Sequence, residues 1–236
     1  MIKKLQLLLS ASDINNRDKI DDILSKECKS INHNLPNLQF RRAIRVPDDP
    51  TASVPQDGQP DDLPEQPPFD NIIELRSEDA SYESLIEAIH GIGEKLGSLI
   101  DASKSAALVG DEHVIVPGSE PLFLNMVLRR PLEWSRKDWH EHWLDHHAAD
   151  VRENVSGLQG YRQFHADEEF SEKAANSAGV DIFDFEGTAE GYYSDIEKFL
   201  ETLSDPEVAK DTGFIDHSRS VMWLSLIHIS EPTRPY

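Results

Sequence analysis

Cysteine occurs once in this 236-residue chain, at Cys28, which excludes an internal disulfide and any cysteine-based zinc cluster. No apolar run approaches the ~18 residues that would mark a membrane-spanning helix. The N-terminal MIKKLQLLLSASD has too short an apolar stretch for a secretory leader and reads as a first strand. Basic residues are scarce: 23 Lys and Arg stand against 44 Asp and Glu, a net charge of −21. The deficit is shared, 12 against 21 in residues 1–118 and 11 against 23 in the remainder. A surface of that sign repels phosphate backbones and anionic lipid, so neither nucleic acid nor membrane is an expected partner. The expectation is a cytoplasmic protein whose excess acid serves solubility or a salt-adapted host.

What is present follows a repeating pattern. Residues 4–10 are apolar and strand-like, and Ile20, Ile23, Leu24 and Ile31 then recur at helical spacing after the cap-type Asn15 and Asn16. A second strand is expected at 40–46. Between 47 and 68 lie seven of the fourteen prolines among acids, the composition of a solvated, mobile loop. FDNIIELRS reads as a strand, SYESLIEAIHGIGEKLGSLID as one amphipathic helix and AALVGDEHVIVPG as a strand. After Gly118 the pattern begins again: strand PLFLNMVLRR, a helix capped by Ser135, a strand through GLQGYRQFHAD, a strand through VDIFDFEGTAEGYY, a helix capped by Ser194, and a last strand HSRSVMWL. Laid over each other at an offset near 118, the halves match Arg17 with Arg136, Ile20 with Trp139, Leu24 with Trp143 and Cys28 with His147. The fold expected is α+β: two tandem ferredoxin-like β-α-β-β-α-β repeats, 1–118 and 119–223, each covering the other's open sheet face in a pseudo-dimeric barrel. Residues 224–234 (LSLIHISEPTR) resemble the in-frame translation of a sequencing adaptor. They are set outside the fold with the rest of 224–236, and the natural chain is expected to continue differently after Trp223.

One stretch stands apart. Residues 139–150, WHEHWLDHHAAD, hold four of the ten histidines and two of the four tryptophans. On a straight helix Trp139, His140, Trp143, Leu144, His147 and Val151 share a face, with Glu141, Asp145 and Ala148 opposite. Large aromatics beside imidazoles suit the wall of a small-molecule pocket. His142, His146 and Asp150 follow at i, i+4 and i+8, but a third ligand two turns along one straight helix does not close on a metal. No metal is assigned.

The second half places Arg129, Arg130 and Pro131 after the first strand; Trp139, Trp143 and His147 in the helix; and Gly160, Tyr161 and His165 in the next strand. Phe185, Glu186, Gly187, Ala189 and Glu190 follow, then Asp211, Phe214, Ile215 and Asp216. Together these residues resemble the EthD family of dimeric α+β barrel proteins. Glu186 replaces the Asp usual in the family, and the first half lacks the WxxxH signature, so any site there is expected to be vestigial. The resemblance implies kinship with cofactor-independent oxygenases, muconolactone-type isomerases and polyketide decarboxylases or dehydratases. It equally implies proteins that accompany an ether-degrading monooxygenase without turnover of their own.

The candidate catalytic pair is His147 with His165: an imidazole near its ordinary pKa can take and return a proton at an acidic carbon or phenol. The residues leave His147 open to a structural role as well, as a hydrogen-bonded imidazole beneath a tryptophan-rich core. Trp139, Trp143, Tyr161, Gln163, Asn125 and Glu190 are expected to line the substrate pocket, with Arg129 available to a substrate carboxylate. No cofactor is assigned. The expected partner is a small aromatic or polyketide-like molecule, and the reading admits a homodimer of such barrels.

Overall fold

Along β1 (Ile2–Leu9), Leu5, Leu7 and Leu9 join one apolar cluster while Leu8 joins another, with Lys4 and Gln6 buried between them in sequence. Strict alternation with both faces buried belongs to a strand whose sheet is closed on one side and covered on the other. The computed structural model describes residues 1–35, 38–53, 69–155, 157–205, 208 and 213–228. The proline-rich loop lies outside them from 54 to 68, as do Asp211 and everything beyond His228. Among the described residues no helix is long and apolar enough to cross a membrane.

The first half runs β1, α1 (Arg17–Asn34), β2 (Gln39–Arg45), β3 (Asn71–Ser77), α2 (Tyr82–Ala88), α3 (Ile92–Leu96) and β4 (Ala106–Val116). The second runs β5 (Leu122–Leu128), α4 (Arg136–His142), a π-helical turn (Trp143–His147), α5 (Ala148–Asn154) and β6 (Tyr161–Ala166). It ends with α6 (Glu168–Ala178), β7 (Gly187–Tyr193), α7 (Ile196–Leu203) and β8 (Val221–His228). The eight strands close, all pairs antiparallel, in the order β1-β3-β2-β8-β5-β7-β6-β4. Counted within its own half, each set of four strands lies in the order fourth, first, third, second.

Several local expectations change. The helix expected at 81–101 is broken at Gly91, which takes a left-handed conformation (φ 67°) and donates its N–H to Ser177 O. α6 is an element the periodicity reading passed over. Its Ala174, Ala175 and Ala178 are small enough to lie against the first half's core, where α6 packs on β4 and α2. Asp195, not Ser194, caps α7 by accepting from Lys198 N. β8 runs past Trp223 to His228, and residues 225–228 make all of β2's pairing with the second half.

The inward faces form an apolar layer around Phe69, Phe123, Phe164, Phe185 and Trp223. Beside it is a buried ionic layer: Lys4 Nζ lies 2.6 Å from Glu74 and 3.4 Å from Glu112, and also pairs with Glu190. Arg41 holds Glu74 at 2.9 Å, Arg76 pairs with Glu112, and Arg162 lies 3.8 Å from Glu112.

Candidate functional site

The π-helical turn decides which residues α4 and α5 bury. Its wider turn closes with Ala148 N–H donating to Trp143 O, five residues back, and so inserts one residue into the α repeat. The inward face therefore reads Trp139, Trp143, Ala148 and Val151, all buried, where a straight helix would have turned His147 inward. Ala148, expected on the far face, belongs to the core for this reason. Trp143 O also accepts from Gln163 Nε2 at 2.9 Å, which ties the turn to β6.

β6 points Tyr161, Gln163 and His165 outward beneath this helix, on one face as expected. His165 stacks on Trp143 with ring centres 4.4 Å apart and planes within 4°. His140 and His113 flank it, each with its ring centre at 4.7 Å. His113 arrives from the first half, because β4 pairs with β6 and sets His113 opposite Gln163. Burial, with His140 and His113 adding to it, pushes His165 down to about 2, so the ring is neutral at physiological pH.

The hydrogen bonds assign both tautomers. Gln163 turns its amide nitrogen to Trp143 O, leaving its oxygen to face His165 Nε2 at 3.1 Å, so that nitrogen carries the proton. His140 Nε2 lies 3.1 Å from the backbone oxygen of Glu186, which can only accept, so it too is the N–H. In the neutral form of each ring Nδ1 then keeps the lone pair. Glu186 Oε2 stands 3.3 Å from His140 Nε2 and 3.2 Å from Arg136 Nε without a well-directed bond from either, and Arg130 pairs with Oε1 at 3.0 Å. A cleft of about 220 Å³ opens beside Arg136, walled by Phe183 and Phe185, whose rings stack at 5.2 Å.

The remaining expected residues fall in three places. His147 sits against Phe214 (4.8 Å) and Tyr161 (6.3 Å), and burial lowers it to about 4. Tyr161 and His165 are four residues apart on one strand, roughly 13 Å, so the expected His147–His165 pair is not brought together. Trp139 donates its indole N–H to Phe214 O and is fully buried, as are Trp143 and Tyr161. Asn125 and Glu190 face the barrel interior, across the sheet from the histidines, because they alternate with the outward Met126 and Ala189. Arg129 pairs with Asp184 and Arg219 O and lies over the Phe185 ring, so its guanidinium is already engaged. Among the described residues no three His, Cys, Asp or Glu side chains form a group that could hold a metal ion, and Asp150 accepts from Asn154 instead.

The family comparison matches the same region. Residues 132–218 match the model of the EthD domain. The match lies in the second half of the chain. It spans the histidine helix, β6, α6, β7 and α7, while His113 lies outside it. No curated protein matches the chain. Among solved structures, an anthrone oxidase-like protein is similar at a TM-score of 0.59 and 8% identity, over 96% of this chain and 91% of its own. A protein put forward as a monooxygenase from Lactobacillus acidophilus NCFM gives 0.48 and 9%, over 96% and 93%. A chlorite dismutase variant from Candidatus Nitrospira defluvii gives 0.49 and 9%, over 95% and 91%. At these identities the likeness is one of fold, and the anthrone oxidase-like structure carries it.

Proposed function

We propose that the EthD half performs acid/base chemistry on a small planar substrate, with His140 as the proton acceptor. The observation that carries this reading is the pair of imidazoles with assigned tautomers. His140 presents Nδ1 as a base while Glu186 lies close enough to favour the imidazolium that forms. His165, neutral and stacked on Trp143, serves as a positioning group and a hydrogen-bond acceptor at Nδ1. His147 is a packing residue in this reading. The cleft walled by Phe183 and Phe185 suits an aromatic ring, and Arg136 joins it to Glu186. Proton abstraction from a phenol or an acidic carbon is the step common to isomerase, lyase and cofactor-independent oxygenase chemistry. An anthrone-like ketone is a fitting substrate class. We also read the two halves as fused copies of one ferredoxin-like unit, supported by their common strand order.

The test is solvent-deuterium exchange into anthrones, phenols and lactones, followed by NMR. Wild type is expected to exchange the acidic proton, His140→Gln to lose about 100-fold or more, and His147→Phe to stay near wild type. Equal exchange by His140→Gln and wild type would remove His140 from the mechanism. A second reading, a non-catalytic accessory protein, is favoured by the full burial of Trp139, Trp143 and Tyr161 against Phe214. It predicts a ligand-induced rise in Tm with no exchange in any variant.

A further inference from the structure

The barrel interior contains polar groups that neither the outer-face histidines nor the buried ion pairs use. Asn125 is fully buried, and neither its amide nitrogen nor its oxygen has a hydrogen-bond partner. Its cross-strand neighbour on β8 is Trp223, whose indole N–H is likewise unpartnered, and on β7 it is Glu190. Glu190 in turn lies opposite Arg162 on β6, whose Nε and Nη1 make no hydrogen bond. Four adjacent strands thus turn one belt of side chains inward, and its unpartnered atoms are mostly donors: Asn125 Nδ2, Trp223 Nε1 and two nitrogens of Arg162. Ser225 Oγ adds a hydroxyl that can act either way, and the acceptors without a hydrogen bond are Asn125 Oδ1, Gln6 Oε1 and Glu74 Oε2, the last lying 2.9 Å from Arg41.

The charges lean the same way. In the buried ionic layer four cations (Lys4, Arg41, Arg76, Arg162) meet three carboxylates (Glu74, Glu112, Glu190). Burial and the neighbouring Glu74 raise the Glu190 carboxyl, whereas Arg41 and Lys4 hold Glu74 well down in spite of its burial. An uncompensated charge and unpaired donors away from water are both costly. A small acceptor-rich anion offsets the two together, and water offsets only the second.

We propose that the barrel interior is a binding site for a small monovalent anion of the halide, nitrate or formate class, held by Arg162, Asn125 and Trp223. A cleft of about 150 Å³ lined by Ile2, Gln39, Arg76, Ser77, Glu78 and Asp79 opens at the Arg76 end of the barrel, where the Arg76 guanidinium pairs with Glu112. The sheet separates this site from His140 and His165, so it stands or falls independently of the proposed chemistry.

The test uses the whole protein at constant ionic strength, with gluconate replaced stepwise by bromide, nitrate or formate while Tm is recorded. Crystals soaked in bromide supply the position by anomalous scattering. The expected result is a saturating rise in Tm with an anomalous peak between Arg162 and Asn125. Asn125→Leu and, independently, Trp223→Phe should each weaken the midpoint about tenfold, the loss of one charge-assisted hydrogen bond. Trp223→Phe keeps an aromatic ring in the core and serves should Asn125→Leu fail to fold. A response equal in wild type and variant, or a bromide map without an interior peak, would assign these atoms to internal water and overturn the proposal.

Discussion

His147 and His165 are both buried enough to resist protonation, and that makes them acid-sensitive points of the fold. The sign follows from comparing states. An unfolded histidine takes its proton near 6.5, while burial keeps His147 neutral to about 4 and His165 to about 2. As pH falls below 6.5 the unfolded chain binds protons first, so the stabilisation is complete above 6.5 and is lost towards 4 for His147 and further down for His165. For His147 the loss is on the order of 3 kcal/mol. Wild type should therefore drop in Tm between pH 7.5 and 4.5 by more than His147→Phe does; parallel curves for the two proteins would show that His147 is not the sensor. Sequence pattern was enough to single out His165, Trp139, Trp143 and Gln163, because each sits at a regular position of a helix or strand. It passed over His113, which reaches the site by pairing between halves, and gave no chemical role to His140, placed on the inward helix face, or to Glu186, named only among the residues of the family resemblance.

At the level of elements, the helix from Arg136 to Asn154 takes its register from the residue inserted at its π-helical turn. Deleting Asp145, which is exposed, should convert that turn to ordinary helix and keep Ala148 and Val151 facing the core, because Ala148 then follows Trp143 at the i+4 position. We expect the deletion to leave Tm near the wild-type value, whereas inserting one alanine after Asp145 should rotate Ala148 and Val151 out of the core by ~100° and lower Tm sharply. Position 110 makes a comparable demand on β4. A Cβ there would meet His165 O at 1.9 Å, so the strands lie close only because the residue is glycine. Gly110→Ala should cost ~1–3 kcal/mol and disturb the backbone that carries His165, visible as lost amide protection in β6 by hydrogen exchange. Neither feature was legible beforehand. An α repeat and a strand glycine look the same in sequence whether or not a neighbour presses on them.

The molecule as a whole is held by closure. β2 pairs as a strand with the second half only through residues 225–228 of β8, and Leu224 and Ser225 are fully buried. A chain ended at Trp223 should expose the edges of both β2 and β5, lose most of its cooperative unfolding and aggregate through those edges; unchanged thermal unfolding of that shortened chain would mean the barrel does not need the pairing. Charge is also divided at this scale. The surface carries the excess acid, while the interior concentrates cations against fewer carboxylates.

The apolar runs of β1 and β5, the helical spacing of Ile20, Leu24, Trp139 and Trp143, and the order of elements expected in each half were legible in the sequence, and they determined the strands, most of the helices and the barrel class. The EthD motifs likewise lay within continuous segments. Which face of β5 and β7 looks inward was not local: alternation says that Asn125 and Met126 part company, but only ring closure says which of them enters the barrel. The same holds for the histidine row. His113 and His165 are 52 positions apart in sequence, and they meet because two antiparallel strands from different halves share a register that hydrogen bonding across the seam alone selects.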